Sequence, residues 1–256
     1  VSAMMMGAIA GSAMASASAM GTILGPEMEK EGYSKEFGAA VNITSSTTGL
    51  VIPPSNTLIV YSLASGGVSI AALFLAGYIP GILTGLFMMI VAMVWAKKNN
   101  YPVGKRSSIK EVFVKFIDAL PSLLLLVIVI GGIIGGIFTA TEASAVAVLY
   151  TILLSFYYKE LSIKDMPKVI LESSETTAIV MLLIGASMCM SWVLSYENIP
   201  QDISDALLSV SDNKIIILLM INLILLAVGI FMDATPAVLI FTPIFLPIVT
   251  SLGMDP

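Results

Sequence analysis

Histidine is missing from all 256 residues, and cysteine occurs once, at Cys189. The first absence removes the commonest general base and metal-binding imidazole. The second rules out an internal disulfide, and Cys189, set in an apolar run, reads as a packing residue. Charge is also scarce: Asp, Glu, Lys and Arg make up 11% of the chain, against about 25% in a soluble domain. Such a chain is neither an ordinary soluble enzyme nor a nucleic-acid binder. What it has instead is apolar surface, with 57% hydrophobic residues and a mean hydropathy of +0.99. That composition belongs to an integral membrane protein whose spans are α-helical, because a helix satisfies its backbone within one segment. The net charge of −5 says little about partners, since position along the chain matters more. The 16 methionines read as lipid-facing and core filler, because no Met cluster has His or Cys beside it.

The most informative stretch interrupts an apolar region at 37–63. Ser45-Ser46-Thr47-Thr48-Gly49-Leu50-Val51-Ile52-Pro53-Pro54-Ser55-Asn56-Thr57 places hydroxyls, a glycine and two prolines where a helix would cross. Pro53 and Pro54 donate no N–H and clash with the preceding turn, so the helix must break. The four-residue offset leaves carbonyls near Gly49 and Leu50 free. Open backbone at membrane depth is tolerated where it lines a polar cavity, which in secondary transporters holds ion and substrate.

Around this break the chain divides into six parts and one connecting loop. Residues 1–26 are apolar and small, with Gly11-Ser12 as a tip and 13–24 as a return leg of about 18 Å. That is too short to span and suits a re-entrant hairpin. The broken helix and its ion-site loop occupy 27–64, with the polar 27–36 segment outside the hydrocarbon. A spanning helix follows within 65–98, ending near Trp95. The 99–175 part holds a basic loop, an amphipathic arm lying flat from Ile109 to Leu120, a pair of scaffold helices at 123–137 and 143–158, and a second interfacial segment at 162–174. Another span lies at 176–196, an acidic loop at 197–212, and a second re-entrant hairpin at 213–256, with its tip at Met232-Asp233-Ala234-Thr235-Pro236. Val1 opens inside an apolar element, so the chain reads as an internal piece of a longer subunit.

Charge placement orients these parts. With 27–36, 97–118 and 159–168 in the cytoplasm, eleven of the twelve Lys and Arg residues lie inside, Lys105 and Arg106 among them. Glu197, Asp202, Asp205 and Asp212 then lie outside. The first hairpin opens inward and the second outward, which is inverted topology. A shift of 221 positions agrees: Pro26 falls on Pro247, Gly32 on Gly253 and Ser12 on Asp233. Inverted repeats are a common transporter architecture.

Several residues carry possible chemistry. Asp233 is a carboxylate at a helix break, costly in a membrane and so a site residue, or else a cap for the returning leg. Ser45, Ser46 and Gly49 offer hard oxygen ligands for a cation, with small-residue helix packing as the other reading. Thr235, in the second interruption, is a further candidate ligand. Asn56 and Thr57 open a half-helix whose positive end suits an anionic group, with Ser55 or Asn56 as an ordinary N-cap otherwise. Ser12 sits at the first tip. Thr139-x-x-Glu142 is a capping box, and Gly131, Gly132, Gly135 and Gly136 read as a close-packing face.

Taken together, the stretches GAIAGSAMASASAMGTILGPEMEKEGYSKEFGAAV, TSSTTGLVIPPSNTLIVY, AGYIPGILTG, GGIIGGIFTATEASAVAVLY and GIFMDATPAVLIFTPIFLPIVTSLGMDP resemble the large membrane subunit of the tripartite ATP-independent periplasmic (TRAP) transporters. The resemblance implies an inverted-repeat, elevator-type fold in the bacterial inner membrane. It also implies a small membrane subunit, separate or fused, and a soluble periplasmic binding protein that delivers an organic acid, with sodium driving uptake. On this chain it implies that Ser45, Ser46 and Gly49 help form a sodium site with the first tip, and that Ser12, Thr57 and Asp233 lie by the substrate or a second ion. A second broken helix is expected beyond residue 256. The Pro-Pro-Ser-Asn-Thr run resembles the sialic-acid branch more than the C4-dicarboxylate branch. The rival readings are a divalent-anion/sodium symporter that works without a binding protein, and a channel with re-entrant hairpins. No dyad or metal cluster points to an enzyme.

Overall fold

The computed structural model describes residues 2–102, 108–211 and 213–255. Backbone contacts divide the chain into two units, one of 1–58 with 70–162 and the other of 59–69 with 163–256. The described elements are helical throughout.

In the first unit, α1 (Ser2–Ala10) and α2 (Ala13–Lys30) form a helix hairpin. Gly11 turns the tip at φ +60°, in the left-handed region that a residue without Cβ enters freely. Ser12 is extended there and its Oγ accepts the Ala15 N–H at 3.4 Å. Next come α3 (Lys35–Ser46), a 3-10 turn (Thr47–Leu50), an irregular stretch through Pro53 and Pro54, and α4 (Asn56–Ala64), whose residues through Leu58 belong to this unit, so the helix breaks where the prolines require it. α5 (Ile70–Lys98) packs onto this irregular stretch through glycines. A Cβ on Gly77 would lie 2.6 Å from the Val51 carbonyl oxygen, and one on Gly81 would lie 2.5 Å from Ile52 Cγ1. α6 (Ile109–Ile134) and α7 (Ala140–Tyr157) pair through a tight turn. The Thr139–Glu142 capping box closes at 2.8 Å and 3.3 Å, and Tyr150 donates its hydroxyl proton to the Pro121 carbonyl at 2.6 Å.

The second unit contains α8 (Met166–Tyr196), α9 (Ile199–Val210), α10 (Lys214–Gly229) and α11 (Ala234–Ser251). Its core joins Leu207 of α9, Ile217 and Ile221 of α10, and Ile244, Phe245 and Ile248 of α11. Among the described residues, α5, α6, α7, α8 and α11 are long and apolar enough to cross a membrane. α8 buries no residue at all, so its apolar surface needs lipid or a partner to cover it. The protein is an all-α, multi-pass membrane protein.

Several expectations change. The polar 27–36 segment is partly helical, because α2 runs through Pro26 to Lys30; the return leg has 18 residues, about 27 Å at 1.5 Å per residue. The arm from Ile109 and the span that follows form one helix, α6, as the 162–174 and 176–194 segments form α8. The acidic loop contains α9, whose Ile203 and Leu207 face the core one turn apart. Cys189 is exposed on α8 and does not pack within the described helices. Of the four turn glycines, Gly132 meets the Phe138 ring, while a Cβ on Gly131 or Gly136 would meet nothing within 4 Å, so among the described residues they share no helix-packing face. Lys105, Arg106, Asp212 and the two end residues lie outside the described residues.

Candidate functional site

In the first unit the hairpin tip at Gly11 lies against Pro54 and Asn56, and Gly7 of α1 lies against Ser46 and Gly49. The Asn56 N–H donates to the Gly11 carbonyl at 3.4 Å, and a Cβ on Gly11 would lie 3.3 Å from the Pro54 carbonyl oxygen. Thr57 follows in the first turn of α4, half-buried. One turn deeper, a Cβ on Gly49 would sit 2.6 Å from the carbonyl carbon and oxygen of Gly7. Gly49 is therefore a close-approach residue: any side chain there would push α1 off the break.

The hydroxyls of this segment are donors to carbonyls one turn back. Ser45 Oγ donates to Val41 O at 2.6 Å, Ser46 Oγ to Asn42 O at 2.8 Å and Thr48 Oγ1 to Ser45 O at 2.6 Å. With the proton committed, each oxygen keeps its lone pairs as its remaining chemistry, and lone pairs are what a cation binds. Ser46 and Thr48 are wholly buried, which removes water as a competitor. Of the two carbonyls expected to be free, that of Leu50 is not: the buried Ser55 donates its hydroxyl to it at 2.5 Å. The same Ser55 Oγ accepts the Leu58 N–H at 3.4 Å, so Ser55, not Asn56, caps α4.

The sequence reading did not single out Ser16 or Asn42. Ser16, wholly buried on α2, donates to Ala3 O at 3.3 Å and ties the two hairpin legs together. Asn42 Nδ2 donates to Ala17 O at 2.8 Å and ties the hairpin to α3. Asn42, Ser45, Ser46 and Gly49 share one helix face at i, i+3, i+4 and i+7, and that spacing was the available signal.

Asp233 and Thr235 belong to the second unit, at the tip between α10 and α11. Asp233 has the extended backbone of an N-cap, φ −69° and ψ 159°, yet its carboxylate makes no capping bond. The carboxylate is exposed, and Thr235 is half-buried in the first turn of α11. The capping role expected as the alternative is thus filled by position alone, and the charged oxygens are left for other partners.

The sequence model of the tripartite ATP-independent periplasmic transporter, DctM component, matches residues 1–256. The uncharacterized protein YgiK of Salmonella typhimurium is 57% identical over 98% of this chain and 58% of its own length. The C4-dicarboxylate TRAP transporter large permease protein DctM of Pseudomonas aeruginosa is 39% identical over 99% of the chain and 59% of its length. The sialic acid TRAP transporter large permease protein SiaM of Vibrio cholerae is 36% identical, over 97% and 58% respectively. The chain spans about three fifths of the length of these relatives.

Proposed function

The chain belongs to the DctM component family of the tripartite ATP-independent periplasmic transporters, and from that premise we propose that it acts within the large permease subunit of a sodium-coupled organic-acid importer. Members of that family are bacterial inner-membrane proteins, and this chain is a multi-pass one. The observation that carries the reading is the hairpin tip seated on a helix break whose serines, Ser46 buried and Ser45 half-buried, have their protons already committed. Hydroxyl and carbonyl oxygens in a dry, close-packed break suit a hard cation. Ser45, Ser46 and Gly49, with the first tip, bind sodium; Ser12, Asn56 and Thr57, at the start of α4, meet the carboxylate of the acid. Asp233 and Thr235 serve a second ion or the acid at the other tip. Sodium orders the broken segments, the acid binds, and an elevator-type movement carries both inward.

A small membrane subunit, separate or fused, and a periplasmic binding protein complete the system. Relatives named for C4-dicarboxylate and for sialic acid are 39% and 36% identical, so identity does not choose between these acids. The test is uptake into proteoliposomes by the full-length transporter with its binding protein. Uptake should require both the sodium gradient and the binding protein, and Ser46→Ala should raise the sodium needed for half-maximal uptake by roughly fivefold, the effect of losing one polar contact. An unchanged sodium curve in Ser46→Ala would refute the site, and uptake without the binding protein would favour an autonomous symporter.

A further inference from the structure

Among the described residues, Asn42 Oδ1 is a buried side-chain oxygen without a hydrogen-bond partner. The orientation of its carboxamide is not arbitrary. Nδ2 donates to Ala17 O at 2.8 Å, and a flipped amide would set two oxygens against each other there. Oδ1 therefore faces away from that bond. A buried acceptor with no donor is costly, so such an oxygen in a polar seam points to a partner that comes and goes. Ser46, one helical turn along the same face, donates to the backbone oxygen of Asn42 at 2.8 Å.

Beside this face lies a cavity of about 570 Å³ within the first unit. Asn42, Thr44 and Ser45 line it at the break end of α3, and Glu29, Ser34 and Lys35 line it at the start of that helix. Glu29 and Lys35 pair at 3.5 Å and are both exposed, so this end is open to solvent. The cavity persists because glycines border it: a Cβ on Gly25 would meet nothing within 4 Å. A polar mouth, a bare oxygen and the serines of the break thus follow one another along α3.

We propose that Asn42 is a further cation ligand on the Lys35 side of the helix break, and that this cavity is the path by which the cation exchanges with solution on that side. The proposal rests on the sodium-coupled reading above. A carboxamide oxygen is a hard, neutral ligand that can hold a partly dehydrated cation without trapping it, as a relay position requires. Its bond to Ala17 keeps the oxygen presented while the hairpin stays seated.

The experiment is sodium-dependent uptake, and sodium-driven exchange, by the full-length transporter in proteoliposomes, with folding checked by thermal unfolding in detergent. Asn42→Leu keeps the volume but removes the oxygen; it should raise the half-maximal sodium concentration roughly fivefold, as loss of one ligating oxygen would. Asn42→Asp keeps an oxygen while losing the donor to Ala17, and should hold or lower that concentration. Gly25→Leu fills the cavity without touching Asn42 and should slow exchange without moving the half-maximal sodium concentration for uptake. If Asn42→Asp is as damaging as Asn42→Leu, the residue is only a tie to Ala17 and the proposal falls. A sodium-dependent wild type whose curve is unmoved in Asn42→Leu would overturn the proposal alone. A wild type indifferent to sodium would overturn the coupled reading with it. Should Asn42→Leu fail to fold, the Asp and Gly25 variants decide.

Discussion

At Gly49 a missing side chain matters more than any present one. Its hypothetical Cβ meets Gly7 backbone at 2.6 Å, whereas a Cβ on Gly7 meets Gly49 Cα at 3.0 Å. Backbone cannot swing aside as a flexible side chain can. Gly49→Ala should therefore lower stability by about 1–3 kcal/mol, the usual range for overpacking, and Gly7→Ala by less; unfolding midpoints in detergent measure both. Equal midpoints for the two variants would show that the hairpin is loosely seated. Asp233 behaves oppositely. Because its carboxylate makes no capping bond, Asp233→Ala should change stability by no more than about 0.5 kcal/mol while abolishing uptake. Retained uptake would leave the carboxylate without a role. The serines, Gly49 and Asp233 were legible as candidates because each is chemically out of place in an apolar run. Asn42 and Ser16 were not, since their importance lies in what they face, and a single polar residue on a helix does not announce its partner.

Helix breaks were legible in this sequence wherever a residue forces them, and helix continuity was not. Pro53-Pro54 and the tips at Gly11 and Asp233 stand where expected; at the first two the cause is local, missing donors and a positive φ. The expected boundaries near Ser122 and Ser174 rested only on a change from amphipathic to apolar composition. A change of solvent does not end a hydrogen-bonded ladder, and so α6 and α8 run through 26 and 31 residues. Pro167 does not interrupt α8, since it sits in the first turn where its absent donor costs nothing. α9 escaped notice for the converse reason: acidic residues masked a short apolar face. That face helps close the core of the second unit, where Ile217 and Ile248 are 0% and 1% exposed. Ile248→Ala should cost about 2–5 kcal/mol, the range for emptying such a position, visible as a lowered unfolding midpoint. A shift no larger than that of a surface substitution would mean that these helices are not packed as a core.

For the molecule as a whole, the distribution of charge makes a prediction that the first unit supports at one point. Lys30 and Lys35 flank the turn after α2, Lys97 and Lys98 end α5, and both places are expected in the cytoplasm. They meet: Tyr101 donates to Ser34 Oγ at 3.0 Å, Tyr33 donates to Pro102 O at 3.3 Å, and the Tyr33 and Tyr101 rings lie 5.0 Å apart. Two segments that touch share a side of the membrane, so Lys35 and Lys98 share one. α5 has 29 residues, about 43 Å at 1.5 Å per residue, enough to cross a bilayer. The excess of Lys and Arg leads us to expect Lys35 on the cytoplasmic side, and the acidic 197–212 stretch is expected on the periplasmic one. In a Cys189→Ser background, Lys35→Cys and Lys98→Cys should react with a membrane-impermeant thiol reagent only from the cytoplasmic side, and Asp202→Cys only from the periplasmic side. All three positions are exposed, so access should depend on sidedness alone. Labelling of Lys35→Cys and Asp202→Cys from one and the same side would remove the inverted topology, and with it the reason for pairing the tip at Ser12 with the tip at Asp233.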